Sequence, residues 1–489
     1  MSARLNAADR ELFARVTAAA FANPFGAERA ELDAEIAGTS DASDWRERML
    51  GRVEARLRGL SAHGSFDVRA FGAEERELCE HTLLFATFHR FLSELDRLIA
   101  EHEQHGDTPM RVDFAQEFLR ALTAHGIDAE RARRMLELFY QMRRAYHFIA
   151  VGLVGQSGAM RKLRESLWDA VFTRDIRRYE RYLWNRMEDF STLLLGETGT
   201  GKGAAAAAIG RSGFIPFDAT KHAFAYGFHE SFVAIHLNEF PEALFESEIF
   251  GHKKGAFTGA VEHHQGALAR CRPYGTVFFD EIGEATLPVQ VKLLRVLQER
   301  LYSPVGSRER LRFHGRILAA THQPIDELRR EHKLRDDFFY RLCSNSIELP
   351  PLRVRLREAP SELTDLVAHL CARMTGAPSA ELSEEVSAAI TRDLGPDYAF
   401  PGNVRELEQC VRRVLVTGRC EPDRAAPAPA EGLAREVEAG SLSADALVQR
   451  YCALLYARRP NYVEVARITG LDRRTVKKHV EQAARTGAQ

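Results

Sequence analysis

The chain has 489 residues, enough for about three domains, and its 45% hydrophobic and 28% charged residues are typical of a globular protein. A formal net charge of −2 excludes a basic surface over the whole molecule, so any contact with nucleic acid must come from a local basic patch. There is no apolar run of roughly 18 residues and no signal peptide, and the seven cysteines are scattered without a metal-like spacing, which predicts a cytoplasmic protein without a membrane partner.

Residues 1–150 are rich in Ala, Leu, Glu and Arg, and their apolar residues recur at helical spacing, most clearly in residues 83–99, 114–122 and 136–148. They lack the alternation typical of β-strands, which argues against a doubly wound phosphoacceptor domain. We therefore predict an all-α N-terminal domain. The pattern leaves open whether this domain is only a packed helical module or encloses a sensory pocket.

From residue 151, short apolar runs alternate with helical stretches. Continuous apolar strands separated by helices indicate a parallel sheet covered on both faces, so we predict an α/β domain over residues 151–350. The predicted strands are residues 192–195, 232–237, 276–279, 316–320 and 346–349. After them, the sequence predicts a helical subdomain at 351–420, a Pro/Ala-rich linker at 421–441 and a short helical unit at 442–489.

A glycine-rich loop follows the first predicted strand and opens an alanine-rich helix. This order is what a phosphate-binding P-loop requires, because its glycines let backbone N–H groups converge on phosphate oxygens at a helix N-terminus. The predicted phosphate-binding residues are Gly196, Glu197, Thr198, Gly199, Thr200, Gly201, Lys202 and Gly203. Lys202 is expected to reach the β- and γ-phosphates, whereas Gly203 stands where such a loop usually carries Ser or Thr.

Two adjacent carboxylates, Asp280 and Glu281, end the predicted strand at residues 276–279. Packing rarely explains two neighbouring acids at the end of a buried strand, because their charges repel. In a P-loop ATPase the first carboxylate holds the Mg²⁺ shell and the second polarises the attacking water. We therefore assign Asp280 to Mg²⁺ and Glu281 to the catalytic base, and predict nucleotide hydrolysis.

Residues 255–260 read Gly-Ala-Phe-Thr-Gly-Ala, with one large apolar side chain, Phe257, among small ones. Such a side chain cannot easily reach its own core, so it is either buried by a neighbouring element or offered to a partner. Between the P-loop and Asp280, this run resembles the GAFTGA signature of sigma-54-dependent transcriptional activators. The resemblance covers roughly residues 151–415.

The resemblance implies an AAA+ fold with a helical lid, ATP and Mg²⁺ as its nucleotide and metal, and a homo-oligomer in the form of a hexameric ring. It also implies a regulatory role for residues 1–150. In the family, the position of Gly203 commonly carries Glu. The implied contacts with the sigma-54 RNA polymerase holoenzyme are Gly255, Ala256, Phe257, Thr258, Gly259 and Ala260.

Further parts of the family's ATPase find matches in this sequence. Arg335 and Arg341 resemble the arginine pair presented to the neighbouring subunit's nucleotide, and Arg405 resembles the second sensor in the lid. His236 aligns with an Asn that restrains the catalytic Glu in the family, and His322 replaces the Asn that usually ends the strand carrying the first sensor. These two replacements predict altered coupling between hydrolysis and partner contact, without loss of hydrolysis.

Two segments look like insertions relative to the family, residues 172–190 and residues 214–228. Both are rich in aromatic and charged residues. The sequence does not indicate what either segment contacts.

The C-terminal unit predicts a helix, a turn that contains Gly470, and a second helix capped by Asp472. Residues 444–489 hold nine Lys or Arg and four Asp or Glu, so their net charge is 9 − 4 = +5, as expected of a surface that contacts phosphates. The pattern resembles the helix-turn-helix that ends sigma-54-dependent activators. The predicted DNA-binding residues are Arg473, Arg474, Lys477, Lys478 and His479.

Together these features predict an ATP-hydrolysing activator that binds double-stranded DNA at an upstream activator site and remodels the sigma-54 holoenzyme to allow open-complex formation. Two alternatives stay open at this point. One is a DNA-binding regulator whose ATPase is vestigial, given Gly203, His236 and His322. The other is an AAA+ protein that remodels another target.

Overall fold

A computed structural model of the chain describes residues 3–38, 45–60, 66–106, 109–420, 433, 437, 442–458 and 461–486. The chain forms two compact units, Met1–Cys420 and Glu421–Gln489, and each is described here by itself. The first unit contains the three regions predicted over residues 1–420, and the boundaries between those regions stay predictions. Most of the predicted linker, residues 421–441, lies outside the described residues.

The N-terminal region is helical, as predicted. Its helices are α1 (Ala7–Phe21), α2 (Ala27–Ala37), α3 (Trp45–Leu60), α4 (Ala73–Arg90), α5 (Leu92–His105), α6 (Ala115–Thr123) and α7 (Ala129–Ala150). The apolar pattern of residues 83–99 is divided between two helices, because Phe91 leaves the helical conformation. Its buried ring packs edge-on against Phe118, so this break contributes to the core.

The central region contains the predicted parallel sheet of five strands. They are β1 (Thr192–Leu195), β4 (Phe232–His236), β5 (Thr276–Asp280), β8 (Arg316–Thr321) and β9 (Asn345–Glu348), in the spatial order β4-β5-β8-β1-β9. Adjacent strands in this order are parallel, so their carboxyl ends share one edge of the sheet. The P-loop after β1 therefore lies at the same edge as the carboxylates that end β5.

Two short antiparallel pairs lie outside this sheet, namely β2 (Phe217–Asp218) with β3 (Ala223–Phe224) and β6 (Leu301–Tyr302) with β7 (Leu311–Arg312). The helices of the central region are α8 (Gly158–Phe172), α9 (Ile176–Arg178), α10 (Lys202–Gly210), α11 (Phe245–Phe250), α12 (Ala267–Arg270), α13 (Leu287–Glu299), α14 (Ile325–Arg330) and α15 (Asp336–Leu342). Four more helices follow in the region predicted to form the lid, α16 (Leu352–Glu358), α17 (Glu362–Thr375), α18 (Ala380–Leu394) and α19 (Asn403–Thr417).

The N-terminal helices and one face of the parallel sheet share a continuous apolar core. It runs from Phe13 in α1 through Leu136 in α7 to Leu194 and Leu318 in the sheet, all of which are buried. The opposite face of the sheet packs in a second cluster with α11, α13 and α15. The sheet is thus covered on both faces, but on one of them part of the cover is the N-terminal region.

The two segments that look like insertions supply much of the contact with the N-terminal region. In residues 172–190, the Tyr179 hydroxyl donates to Gln141 of α7 at 2.9 Å. In residues 214–228, the backbone N–H of Phe217 donates to Glu137 of α7 at 2.9 Å, and the ring of Phe224 stacks on Tyr140 with centroids 4.1 Å apart. Both insertions therefore hold α7 against the central region.

A fully buried arginine on α7 completes this contact. Arg144 donates to the carbonyl oxygens of Arg211 at 2.5 Å and Gly213 at 2.8 Å, just beyond the end of α10. Its guanidinium also lies 4.5 Å from the centroid of the Tyr140 ring. Burial lowers the pKa of Arg144 from its ordinary value.

The second unit contains three helices, α20 (Ala444–Arg458), α21 (Tyr462–Thr469) and α22 (Arg473–Thr486). Cys452, Val465 and Val476 form its small core. Gly470 ends α21 with φ +72°, in the left-handed region. Asp472 caps α22 as predicted, since its carboxylate accepts from the backbone N–H of Arg474 at 2.8 Å.

All seven cysteines are free thiols, and five of them are buried. Among the described residues, no helix is long and apolar enough to cross a membrane.

A buried ion pair joins the predicted lid to the start of the central region. Arg355 of α16 donates to Glu362 of α17 at 2.8 Å, and both side chains are almost inaccessible to solvent. Arg355 also donates to the Val154 carbonyl at 2.7 Å, while Glu362 accepts the backbone N–H of Ser157 at 2.7 Å. Removal of either partner would leave the other as an uncompensated buried charge.

We expect Glu362→Ala to lower the free energy of unfolding by about 3–5 kcal/mol, because Arg355 would keep its charge without a carboxylate. Urea denaturation followed by circular dichroism measures this loss. Glu358→Ala is the control, since Glu358 is an exposed acid of the neighbouring helix that accepts the backbone N–H of Ala159. Equal stability of the two variants would show that the buried pair does not hold the lid in place.

Candidate active site

The glycine-rich loop lies between β1 and α10, as predicted. Gly199 and Gly201 have φ values of +81° and +98°, a region that side chains rarely adopt, so the turn depends on glycine at both positions. Lys202 is the first residue of α10 and is 7% exposed. Its ammonium group donates to the carbonyl oxygens of Gly196 at 2.9 Å and Glu197 at 3.2 Å, so it folds back over the loop.

Charges from three elements act on this lysine. Burial lowers the pKa of Lys202, and the carboxylates of Glu281 and Asp280 oppose that effect. The positive charge of Arg405 in the lid adds to the lowering. Lys202 therefore lies where the phosphate loop, the acidic strand end and the lid converge.

The lid is docked on the phosphate loop through residues that the sequence analysis did not single out. Arg353 of α16 forms a bidentate ion pair with Glu197, with donor–acceptor distances of 2.7 and 2.6 Å. Asn403, at the start of α19, donates to the Thr198 carbonyl at 3.0 Å. The backbone N–H of Val404 donates to the Gly199 carbonyl at 3.0 Å.

Close packing at Gly199 is the reason for these contacts. A Cβ built on Gly199 would lie 2.3 Å from the Gly402 carbonyl oxygen, so the lid approaches the loop where a side chain is absent. A signal for Asn403 was available in the sequence, since it lies two residues before Arg405, which resembles the second sensor of the lid. Arg353 lies in a segment that resembles the join to the lid, but the sequence does not indicate that its partner is Glu197 of the phosphate loop.

Each carboxylate at the end of β5 contacts a histidine. His236 ends β4 directly opposite Asp280 in the sheet register, and its Nδ1 lies 3.1 Å from Asp280 Oδ2. His322 follows β8, and its Nδ1 donates to Glu281 Oε2 at 2.7 Å. The backbone N–H of His322 also donates to this oxygen, at 3.2 Å.

Glu281 is thus held from the side of β8. Its backbone lies in the left-handed region with φ +55°, which is uncommon for a residue with a side chain. Such strain persists only where the surroundings fix the conformation, as the two contacts with His322 do here.

The predicted arginine pair lies on the surface. Arg335 precedes α15 and forms an ion pair with Asp337, with Nη2 at 2.7 Å from the carboxylate. Arg341 is exposed near the end of α15 and donates to the Leu297 carbonyl at 3.4 Å. Among the described residues, neither arginine hydrogen bonds to the phosphate loop of its own chain.

Residues 255–260 form a tight loop after α11. The backbone N–H of Gly255 donates to the Ala260 carbonyl at 2.8 Å, and Gly255 and Gly259 both have positive φ. Phe257 at the tip is 38% exposed. One edge of its ring packs against His252 with centroids 4.9 Å apart, so the side chain is only partly sheltered.

The predicted DNA-binding residues of the second unit all lie in α22. Arg473, Arg474, Lys477 and Lys478 are exposed, whereas His479 is partly buried. The cationic side chains lie on the part of α22 that is not used by Val476 for the core.

A model of the family described as the sigma-54 interaction domain matches residues 172–348, which include the phosphate loop, the loop at residues 255–260 and the acidic end of β5. The central part of the chain belongs to the sigma-54 interaction domain family. This finding confirms the resemblance and the central AAA+ domain with its parallel sheet.

Several curated proteins are similar to the chain over this domain. The DNA-binding transcriptional regulator NtrC of Azospirillum brasilense is 34% identical over 328 residues, which are 60% of this chain and 64% of that protein. The Nif-specific regulatory protein of Azotobacter vinelandii is 36% identical over 280 residues, which are 57% of this chain and 47% of that protein. The chain thus spans about half to two thirds of the length of these relatives.

A solved structure is also similar, the crystal structure of NtrX from Brucella abortus. It shares 21% sequence identity with this chain, at a TM-score of 0.41, and the match covers 80% of this chain and 85% of that chain.

The two histidines that the sequence analysis sets against Asn residues of the family have different partners in the structure. The sequence predicted that His236 would take the place of the Asn that restrains the catalytic Glu. In this structure His236 contacts Asp280, and the contact with Glu281 is made by His322 instead. The residue that holds Glu281 therefore follows β8, the strand predicted to carry the first sensor.

Gly203 offers a direct test of the site. A Cβ built on Gly203 meets no atom within 4 Å, so the loop has room for a larger residue. We expect Gly203→Ser to reduce the Mg²⁺ concentration that gives half-maximal ATP turnover by several-fold, because it restores the hydroxyl that P-loops place on Mg²⁺. A Mg²⁺ titration of the ATPase rate measures this change.

Gly203→Ala is the matched control, since it adds the Cβ without the hydroxyl. It should leave the Mg²⁺ requirement unchanged and raise the free energy of unfolding by about 0.5 kcal/mol through the lower entropy of the unfolded chain. An identical Mg²⁺ titration for the Ser and Ala variants would contradict a metal position next to residue 203.

Proposed function

We propose that the protein is an ATP-hydrolysing transcriptional activator that acts in the cytoplasm on the sigma-54 RNA polymerase holoenzyme. One observation carries the proposal. The loop at residues 255–260 presents a half-sheltered Phe257 from a domain whose phosphate loop and paired carboxylates meet at one sheet edge. A partly exposed aromatic side chain on a glycine-hinged loop suits a contact that forms in one nucleotide state and is withdrawn in another.

The roles of the site residues follow from their positions. The N-terminus of α10 and Lys202 would bind the phosphates of ATP, and Asp280 would hold Mg²⁺, which neutralises charge on the transferred phosphoryl group. Glu281 would take a proton from the attacking water, and His322 would orient its carboxylate through the 2.7 Å hydrogen bond. Arg405 would report the nucleotide to the lid.

Hydrolysis would depend on assembly. Arg335 and Arg341 lie exposed at the two ends of α15, where they could reach the nucleotide of a neighbouring subunit and stabilise transition-state charge. We propose a homo-oligomer in the form of a hexameric ring, bound to upstream double-stranded DNA by the second unit. The exposed cations of α22, after the turn at Gly470, fit a helix-turn-helix recognition helix.

ATP hydrolysis by the purified protein separates this proposal from a DNA-binding regulator with a vestigial ATPase. The close contact of His322 with Glu281 and the folded-back Lys202 favour a working site. Binding to sigma-54 in the presence of a metal-fluoride transition-state mimic separates the proposal from an AAA+ protein that remodels another target.

The decisive experiment is sigma-54-dependent open-complex formation with the full chain, with and without ATP. The wild type should open the promoter only with hydrolysable ATP. Glu281→Gln should bind ATP and lose turnover and opening, because the amide cannot accept the proton of the attacking water.

Phe257→Ala should hydrolyse ATP normally and fail to open the promoter, because only the contact with the sigma factor is removed. Val261→Ala is the matched control, since Val261 is an exposed apolar residue just outside the loop, and it should open the promoter normally. Opening by Phe257→Ala at the wild-type rate would contradict the proposed role of the loop.

Mixed subunits test catalysis across the subunit interface. Lys202→Ala and Arg341→Ala should each be inactive alone, the first without phosphate binding and the second without the arginine in trans. Mixing them should partly restore ATP turnover, because some interfaces then combine an intact Lys202 with an intact Arg341. Absence of any restoration at all mixing ratios would argue against the trans arrangement.

A further inference from the structure

One buried amide side chain joins three parts of the candidate nucleotide site. Asn403 is fully buried at the first residue of α19. Its Nδ2 donates to the Thr198 carbonyl at 3.0 Å and to Glu197 Oε2 at 3.2 Å, both in the phosphate loop. Its Oδ1 accepts the backbone N–H of Leu352, the first residue of α16, at 2.8 Å. The side chain therefore links α19, to which it belongs, with the phosphate loop and with α16.

The backbone of Asn403 adopts a conformation that is uncommon for a residue with a side chain. Its φ is +55°, in the left-handed region, and Phe400 three residues earlier has φ +45°. Glycine adopts this region readily, and asparagine is one of the few other residues that tolerate it. Such strain persists where the surroundings fix the conformation, and it is concentrated at functional sites. The contacts of the Asn403 amide fix the residue in this way, from the loop and from α16.

Arg405 follows in the same turn of α19. A Cβ built on Gly199 would lie 3.0 Å from Arg405 Cβ, so the backbone of this arginine packs directly on the phosphate loop. Among the described residues, its exposed guanidinium has neither an ion pair nor a hydrogen bond. Burial lowers the pKa of Lys202, and the charge of Arg405 adds to this lowering, so the two cations face each other. The turn that Asn403 fixes thus sets the position of an unpaired cation beside Lys202.

A second contact joins the same two parts but is less suited to fix their geometry. The ion pair of Arg353 with Glu197 has side chains that are 37% and 43% exposed. Solvent screens such a pair, and its contribution is accordingly small. The Asn403 amide is fully buried, so a group that loses its partner there cannot turn to water instead. Asn403 is therefore the stricter of the two contacts.

We propose that Asn403 is a positioning residue, which holds Arg405 over the phosphate loop in the geometry that binds the phosphates of ATP. Asn403 does not itself touch the nucleotide and acts through Arg405. The inference rests on the proposed ATPase function. It adds the residue that keeps the arginine of the predicted lid aligned with the loop.

The test is a double-mutant cycle on nucleotide affinity. Isothermal titration of the full chain with a non-hydrolysable ATP analogue and Mg²⁺ measures the affinity without turnover. Asn403→Asp keeps the shape of the side chain and the acceptor for Leu352, but it replaces the donating amide with a carboxylate that faces Glu197. Asn403→Asp and Arg405→Ala should each weaken binding about tenfold, as for the loss of one hydrogen bond to a charged group.

The double variant decides how Asn403 acts. It should bind no more than about twofold more weakly than either single variant, because residues that act through one another are not additive. Additive losses, about a hundredfold in the double variant, would overturn the positioning role, since Arg405 would then work fully without Asn403. A contribution of Asn403 to stability alone would give this additive result.

Asn403→Gly separates the side chain from the backbone, because glycine keeps the left-handed conformation without strain. It should weaken binding as Asn403→Asp does, and it answers the question if Asn403→Asp does not fold. Wild-type affinity in Asn403→Gly would overturn the role of the amide. Asn185→Asp, at an exposed residue of the insertion at residues 172–190, is the matched control for the added charge and should bind as the wild type does. Thermal unfolding verifies that each variant is folded.

Failure of this inference differs from failure of the proposed function. A wild type that binds the analogue but never hydrolyses ATP would contradict the proposed function, and the cycle would still decide the role of Asn403. Additive losses in a protein that hydrolyses ATP would overturn the positioning role alone. A wild type that does not bind the analogue would contradict both.

Discussion

The arrangement of the first unit depends on one buried cation. Among the described residues Arg144 has no carboxylate partner, and its charge is stabilised by carbonyl oxygens at the end of α10 and by the face of Tyr140. A buried charge is costly unless its partners are well placed, so this geometry tolerates little displacement. The position of α7 on the central region is therefore fixed by electrostatics as well as by the shared apolar core. A shift of α7 would have to carry the end of α10 with it.

In the candidate nucleotide site, too, individual polar contacts fix the positions of the key residues. Glu281, in a strained backbone conformation, is held by His322, while Glu197 of the phosphate loop is bound to the lid through Arg353. The two carboxylates thus connect the site to different parts of the first unit, Glu281 to the sheet edge and Glu197 to the predicted lid. Entry of a phosphate group would compete with the contacts that Lys202 now makes with the loop carbonyls.

Much of this fold could be predicted from the sequence, because strong local patterns determine where its strands, turns and helix caps lie. All five strands of the parallel sheet, the P-loop before α10 and the cap at Asp472 lie where apolar runs, glycines and capping chemistry placed them. Pairings between distant residues could not be predicted in the same way. Nothing local shows that His322 contacts Glu281, and Arg353 resembles any other helix-surface arginine until Glu197 is found opposite it. The two insertions were recognisable only as segments that the family pattern lacks. Their contacts could not be predicted, because the surface that they cover belongs to the distant N-terminal region.

The aromatic insertions also limit how such a protein could evolve by exchange of its N-terminal region. Regulatory regions that are joined by a linker can be exchanged between relatives by recombination at the linker. Here the N-terminal region buries Phe224 and Phe228 of one insertion and Tyr179 of the other, so a new partner region would meet surfaces shaped for a different helix. Exchange would succeed only if both insertions were transferred together with residues 1–150. In the sequence, however, α8 separates residues 1–150 from the first insertion, and the phosphate loop separates the first insertion from the second. The region that would sense a signal and the ATPase that would act on it are thus expected to have diverged as one unit.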